Sequence, residues 1–430
     1  MDGMIRAHRS EGVHDPLKAR ALYLAPSPTP GEVGNHGAPG GADPRGGFLL
    51  VALDLFGLDR RTGLEVRRRI ERLTGVPAGN VILAASHTHS GPATIGYFNP
   101  REEGYLRRLA PALVRVARRA VAAARPAAAG CASGREATIS HYRRLAAPDG
   151  RVIMNWETPP EEAVCHPLGE GDPELGVLKI VDARAPERIL GLAFNHAGHP
   201  NVLSGNNYRI SADYPGRAAA LLEHEHGCAA LFLNGAQGSV DIDGRRDRDW
   251  EGRERIGNAL AVAVSRTAAR AAVHAELRLR GASVCYSVPF RSISDQELRW
   301  ALDLLRVTGG HLEARPDGIG DDFRALLYRD LRALEGRSEE LEQSCLALDD
   351  SAFVSFPGEL FTEIGAEIKR QSPFRRTYLI GLANGAAGYL PTRRAIAEGG
   401  YAVETRRLAD HGEQLVLERS LALLHRVHGS

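Results

Sequence analysis

Asn80-Val81-Ile82-Leu83-Ala84-Ala85-Ser86-His87-Thr88-His89-Ser90-Gly91-Pro92 is an apolar run that breaks abruptly into polar residues. The apolar half, Asn80 to Ala85, predicts a buried strand. Its carboxyl end then carries the histidines, and ligands and catalytic groups gather at that end of strands in α/β sheets. Strand side chains alternate faces, so the His87 and His89 imidazoles are expected on one side of an extended backbone, able to approach one centre. Metal sites use this device, although an isolated His-x-His also describes solvated or core histidines.

The arrangement recurs along the chain. Ile189 to Asn195 predicts another strand, ending in Asn195-His196-Ala197-Gly198-His199-Pro200. Only one of these histidines need be a ligand, and Pro200 makes His199 the more rigidly placed; the alternative is a pair of hydrogen-bonded loop histidines. Ala352 to Pro357 opens through a Pro-Gly turn onto Glu359. An acid there is either a ligand or a helix amino-terminal residue favoured by the dipole. Tyr378 to Ala383 runs into Asn384-Gly385-Ala386-Ala387-Gly388-Tyr389, where a tyrosine is ordinarily packing. Asn234 to Asp241 is a Gly-containing loop suited to oxyanion donors, a nucleophile or a simple turn. Nucleotide-binding glycine signatures and Gly-x-Ser-x-Gly are missing from meaningful positions, which argues against nucleotide chemistry and against a serine hydrolase.

Strands are expected at Ala21 to Leu24, Phe48 to Leu55, Gly130 to Ala146, Val152 to Trp156, Leu175 to Val181, Ala229 to Leu233 and Arg278 to Pro289, with helices at Arg60 to Leu73, Glu103 to Ala124, Tyr214 to Glu225, Glu251 to Ala272, Asp295 to Val307 and Phe361 to Arg370. Pro26 to Gly47, rich in Gly and Pro, reads as a lid-like loop. The fold class is α/β: one large domain over residues 1–430, a mixed β-sheet core with flanking helices. The charged stretch 295–346 is expected to form a helical subdomain.

With 430 residues, 43% hydrophobic, a sizeable core is assured. A formal net charge of +1 gives no reason to expect nucleic acid or an anionic membrane as the main partner. Lysine occurs only at 18, 179 and 369, and the arginine and alanine bias reflects genome composition. The five scattered cysteines contain no Cys-x-x-Cys, so neither a disulfide framework nor a thiolate zinc site is expected. Charged residues at Asp2, Arg6, Arg9 and Glu11 leave no signal-peptide core, and no stretch reaches the ~20 apolar residues of a membrane span. The expected location is the cytoplasm, with a homo-oligomer left open.

Taken in order, Ser86-His87-Thr88-His89-Ser90-Gly91-Pro92, His199-Pro200, Pro357-Gly358-Glu359 and Gly381-Leu382-Ala383-Asn384 leading to Gly388-Tyr389 resemble the neutral/alkaline ceramidase family. The resemblance runs from Gly12-Val13-His14-Asp15-Pro16-Leu17 to about Glu404. It implies a zinc ion held by His87, His199, Glu359 and Tyr389. His89 then becomes a proton donor or substrate-orienting group, and Arg143, with Arg144 as the second choice, is the candidate to contact the substrate oxygen. Three features depart from the family pattern. Its Gly-Asp-x-Ser loop appears as Gly238-Ser239-Val240-Asp241, which puts an aspartate at the serine position and excludes a serine nucleophile there. The family's immunoglobulin-like carboxy-terminal domain has no room in this chain, and its first strand and turn are shortened, so ceramide itself is not the expected substrate.

The implied chemistry is cleavage of an amide in a small or lipid-like N-acyl compound. Zinc lowers the pKa of a bound water to about 7 and polarises a carbonyl, so no protein nucleophile is required. Tyr389 and Arg143 are expected to stabilise the oxyanion, His89 to protonate the leaving amine, and Asp241 to orient His89 or bind a cationic part of the substrate. The alternatives are an ester or lactone hydrolase, an amide-forming acyltransferase on the same metal site, and a non-catalytic binding protein that retains the fold.

Overall fold

A computed structural model describes residues 1–26, 43–159, 164–243 and 246–430. Most of the segment expected to be lid-like lies outside these residues. The main strands form three mixed sheets. In the first, Ala19–Leu24 pairs antiparallel with Phe48–Leu53, which pairs parallel with Val81–Ala85. In the second, Ala127–Arg135, Glu174–Asp182 and Ala185–His196 are antiparallel neighbours, and Ala229–Asn234 joins parallel to the last. The third contains Leu279–Pro289, Ser338–Leu348 and Ser351–Ser355 in antiparallel order, closed by the parallel strand Arg376–Ile380.

One apolar core joins all three, with Leu50, Ile82, Leu178, Leu233, Leu346, Phe353 and Ile380 among its buried members. Each sheet turns its other face to its own helices, which gives the strands the near-continuous apolar character of chains buried on both sides. Arg60–Thr74 and Glu103–Ala122 cover the first sheet. Asp213–His226 and Trp250–Ala269 cover the second. Thr362–Gln371 and the closing helix Gly412–Gly429 cover the third. Arg67 lies within this packing, its guanidinium donating two 2.6 Å bonds to Glu342, with both residues buried. No helix among the described residues is long and apolar enough to cross a membrane.

Two expectations need correction. The stretch 295–346 is helical only at Asp295–Thr308 and Asp321–Arg332; from Ser338 it becomes a strand of the third sheet, its charged first residues lying at the exposed end and its apolar half buried. The expected strand from Gly130 to Ala146 is three pieces, Ala127–Arg135, His141–Tyr142 and Arg144–Ala146, because the pairing with Glu174–Asp182 ends at Arg135.

The parallel strands bring their carboxyl ends to one place, and backbone bonds stitch these ends together. Ala85 N–H donates to the Leu382 carbonyl at 3.1 Å, Gly381 N–H to that of Asn234 at 2.8 Å, and Gly235 N–H to that of His196 at 3.0 Å. The Asn234 side-chain amide donates to the Ser86 carbonyl at 3.0 Å. Chemistry-bearing residues more than a hundred positions apart are thereby fixed against one another.

Candidate metal centre

The strand carrying the first histidines ends at Ala85, and the residues beyond it are not extended. His87 has a left-handed backbone, φ 77°. Its N–H donates to the Leu55 carbonyl at 2.8 Å, while His89 N–H donates to that of Pro200 at 3.1 Å. Strand alternation is thus not what aims the two imidazoles together; a turn held by both flanking segments does so.

His87, His89 and His199 are brought together, and one ligand atom from each lies within 4.8 Å of the others. The ring centroids are 4.7 to 5.1 Å apart and the planes cross at 71 to 86°, so the three imidazoles stand edge to face around one point. Glu359 completes the group, its Oε2 3.3 Å from His87 Nε2. All four residues are buried. His87 Nδ1–H donates to the Phe56 carbonyl at 2.9 Å, which fixes the tautomer and leaves Nε2 as the free lone pair, as in most metal-ligating histidines.

Buried polar atoms normally have hydrogen-bond partners. Here His87 Nε2, both ring nitrogens of His89, His199 Nδ1 and Glu359 Oε2 have none. Burial first, then the neighbouring His87 and nearby arginines, holds His89 and His199 well below the ordinary histidine pKa, so both are neutral donors at neutral pH. Imidazoles with a carboxylate are a donor set that zinc accepts, and the residues present fit a divalent cation.

Tyr389 is the strand partner of Glu359, in register with it across a short parallel pair. Burial drives its phenol well above the ordinary tyrosine value, which keeps it protonated. Arg143 is buried beside it, with the guanidinium 4.9 Å from the Tyr389 ring centroid and 5.6 and 5.8 Å from those of Trp156 and Tyr401. Burial opposes its charge, but the Tyr389, Asp241 and Glu359 groups outweigh this and hold Arg143 firmly cationic. Its Nη2 donates to the Gly238 carbonyl at 2.7 Å. Arg144 points elsewhere, toward Glu398 at 3.0 Å and the Ala395 and Gly399 carbonyls. His196 also stays out of the group, its Nε2 3.2 Å from the Glu136 carbonyl.

Asp241 does not orient His89, because neither ring nitrogen of that histidine has a partner. Its Oδ2 lies 3.2 Å from Asn201 Nδ2 and 3.5 Å from Arg248 Nη2, and its Oδ1 accepts from Ile242 N–H at 2.7 Å. Ser239, the other member of the exchanged pair, packs away from the imidazoles against Thr362 and Glu363.

Several participants escaped the sequence reading. Phe56 stacks on His87 at 4.3 Å, and its carbonyl accepts the His87 hydrogen bond. Arg6 Nη2 donates to the His89 carbonyl at 2.8 Å. Gly3, at φ 81°, presses its backbone so close to His89 that a Cβ would stand 2.5 Å from the ring. An Asp-Leu-Phe sequence just past an apolar strand was a usable signal for Phe56, but nothing in Met1 to Arg6 marks proximity to a site.

No protein-family model matches the chain. Among solved structures, the neutral ceramidase from Pseudomonas aeruginosa superposes with a TM-score of 0.67 at 20% identity, covering 89% of this chain and 67% of that one. A ceramidase complexed with C2 gives 0.68 at 18% identity, with 96% and 76% covered. These superpositions show a shared fold across most of the chain. The three sheets, their helices and the convergence of their strand ends are therefore those of the neutral ceramidase fold.

Proposed function

We propose that this chain is a member of the neutral ceramidase family and a zinc-dependent hydrolase of amide bonds. Its substrate, on this reading, is a small or lipid-like N-acyl compound other than ceramide. The observation that carries the proposal is the set of buried, unpartnered donor atoms on His87, His89, His199 and Glu359 within that fold.

His87, His199 and Glu359 would hold the ion, with Tyr389 alongside. A zinc ion so held supplies an acidified water and polarises the substrate carbonyl. The chain's own groups do the rest. Arg143, cationic and buried, faces the carbonyl oxygen together with the protonated Tyr389 phenol and stabilises negative charge where it develops. His89, with both ring nitrogens free, takes up the proton shed by the attacking water and passes it to the leaving nitrogen. Asp241 stands at the position of the family serine and the Ser239 hydroxyl is engaged with Thr362 and Glu363, which favours direct attack by water.

The test combines metal analysis with an amidase assay on a panel of N-acyl amines. His87→Ala and Glu359→Ala are expected to lose both bound zinc and turnover, whereas His89→Ala keeps the metal and loses turnover. Full activity in a metal-free His87→Ala protein would falsify the proposal.

A further inference from the structure

Beside the imidazoles lies a second buried polar cluster that the amide-cleaving chemistry does not use. Asn201 follows His199 by two residues and donates from Nδ2 to Asp241 Oδ2 at 3.2 Å. Arg248 reaches in from the segment ahead of helix Trp250–Ala269. Its Nη1 lies 3.1 Å from the Asn201 carbonyl and 2.8 Å from Asp317 Oδ2, and its Nη2 is 3.5 Å from Asp241 Oδ2. Asp317 comes from the loop between the two helices of the 295–332 stretch. Neighbouring residues of that loop are held by two other segments: Gly205 N–H donates to the Pro316 carbonyl at 2.9 Å, and Arg315 N–H to that of Ile5 at 3.4 Å.

The cluster has unmet hydrogen-bonding capacity. Two carboxylates face Arg248, whose terminal nitrogens are already committed, and the buried Arg143 guanidinium also acts on both. The Asp241 side chain is fully buried, while those of Arg248 and Asp317 are 13% and 17% exposed. Asn201 is 2% exposed, yet its Oδ1 has no partner, and neither has the buried Oδ1 of nearby Asn155. The unmet capacity of these carboxamides is for donors. An alkyl chain laid here would leave buried acceptors unsatisfied, which is costly. An ammonium group would donate to these oxygens, with Asp317, the acid open to solvent, as its counter-charge. Burial, with Asp241 adjacent, pushes Asp317 up to about 6 against the opposing pull of Arg248 and Arg143.

We propose that Asp241, Asp317 and Asn201, buttressed by Arg248, form a subsite for an ammonium-bearing portion of the substrate. The proposal rests on reading the adjacent centre as an amide hydrolase. It narrows the substrate class to N-acyl compounds with a cationic amine at one end, and it accounts for an aspartate at position 241. Asp317, the most exposed of the acids, marks the side on which that group enters.

Three probes of similar size test this: N-acetylputrescine, uncharged N-butylacetamide and anionic N-acetyl-γ-aminobutyrate. Binding to the zinc-loaded protein is measured by calorimetry, which does not depend on turnover. The cationic probe is expected to bind at least roughly tenfold more tightly than the neutral one, and the anionic probe more weakly than either. Asp317→Asn and Asp241→Asn, checked for folding by thermal melts, are expected to reduce the cationic preference to within about threefold. Equal binding of the three probes by the unaltered protein, or a cationic preference that survives both substitutions, would overturn the subsite. Preferential binding of the cationic probe without cleavage of any amide would leave the subsite standing and overturn the hydrolase reading instead.

Discussion

Gly238 is the position where a single methyl group tests the integrity of the centre. A Cβ built there would stand 2.4 Å from the Glu359 carbonyl oxygen, 2.9 Å from its carbon and 3.0 Å from the Leu360 carbonyl carbon. All three are backbone atoms, so no side chain can swing aside. Reaching an ordinary contact of 3.4 Å from 2.4 Å requires the two segments to separate by about 1 Å, taking Glu359 away from His87. The same loop donates Gly238 N–H to the Leu360 carbonyl and presents its own carbonyl to Arg143, so one displacement disturbs both sides of the site. Overpacking of this kind costs about 1 to 3 kcal/mol of stability. A 1 Å misplacement near the chemistry costs about a hundredfold in turnover. Gly238→Ala is therefore expected to lower the melting temperature by several degrees, weaken zinc in chelator competition by about ten- to a hundredfold, and lower kcat by about a hundredfold. Gly171→Ala is the control, because its Cβ would meet nothing closer than 3.5 Å. Native zinc affinity and turnover in Gly238→Ala would refute the argument that this loop clamps Glu359.

Arg143→Ala should retain zinc and lose about a hundred- to a thousandfold in kcat, whereas Arg144→Ala, which removes the partner of Glu398, should lower the melting temperature with far less effect on kcat; steady-state kinetics with metal analysis separates them. Because His89 and His199 have folded pKa values below the unfolded value of about 6.5, the unfolded chain binds more protons below that pH, so metal-free protein should lose stability as pH falls through 6.5 and show no such slope above it; urea melts across pH read this directly. Arg67→Ala leaves buried Glu342 unpaired and should cost about 3 to 5 kcal/mol, while Arg67→Met combined with Glu342→Leu should recover most of it, as chemical denaturation would measure.

The strands and the site were legible to different degrees, for physical reasons. Val81–Ala85, Ala185–His196 and Arg376–Ile380 could be found because chains buried on both faces must be apolar throughout, and each announces its end with a polar break. The same breaks located His87, His199 and Glu359. Ser338–Leu348 was misread because Glu339, Glu340 and Glu342 suggest a solvated helix; the glutamate at 342 is tolerated in a strand only because Arg67, far away in sequence, is buried against it. Arg6, Asn201, Arg248 and Asp317 were invisible for a related reason. Their roles come from tertiary partners, and no local periodicity encodes which loop an arginine will reach.

The left-handed backbone of His87 also bears on how this protein should be engineered. Side chains other than glycine, asparagine and aspartate adopt that conformation at a cost of about 1 to 2 kcal/mol. A redesign guided by thermostability alone would therefore favour glycine or asparagine at position 87, and it would yield a sturdier molecule that had traded away the imidazole facing Glu359 and His199. Transplanting the centre into another scaffold carries the complementary lesson. The histidine pair copied onto a straight strand would not reproduce the convergence, and the graft has to include the turn together with the carbonyls of Leu55, Phe56 and Pro200 that hold it.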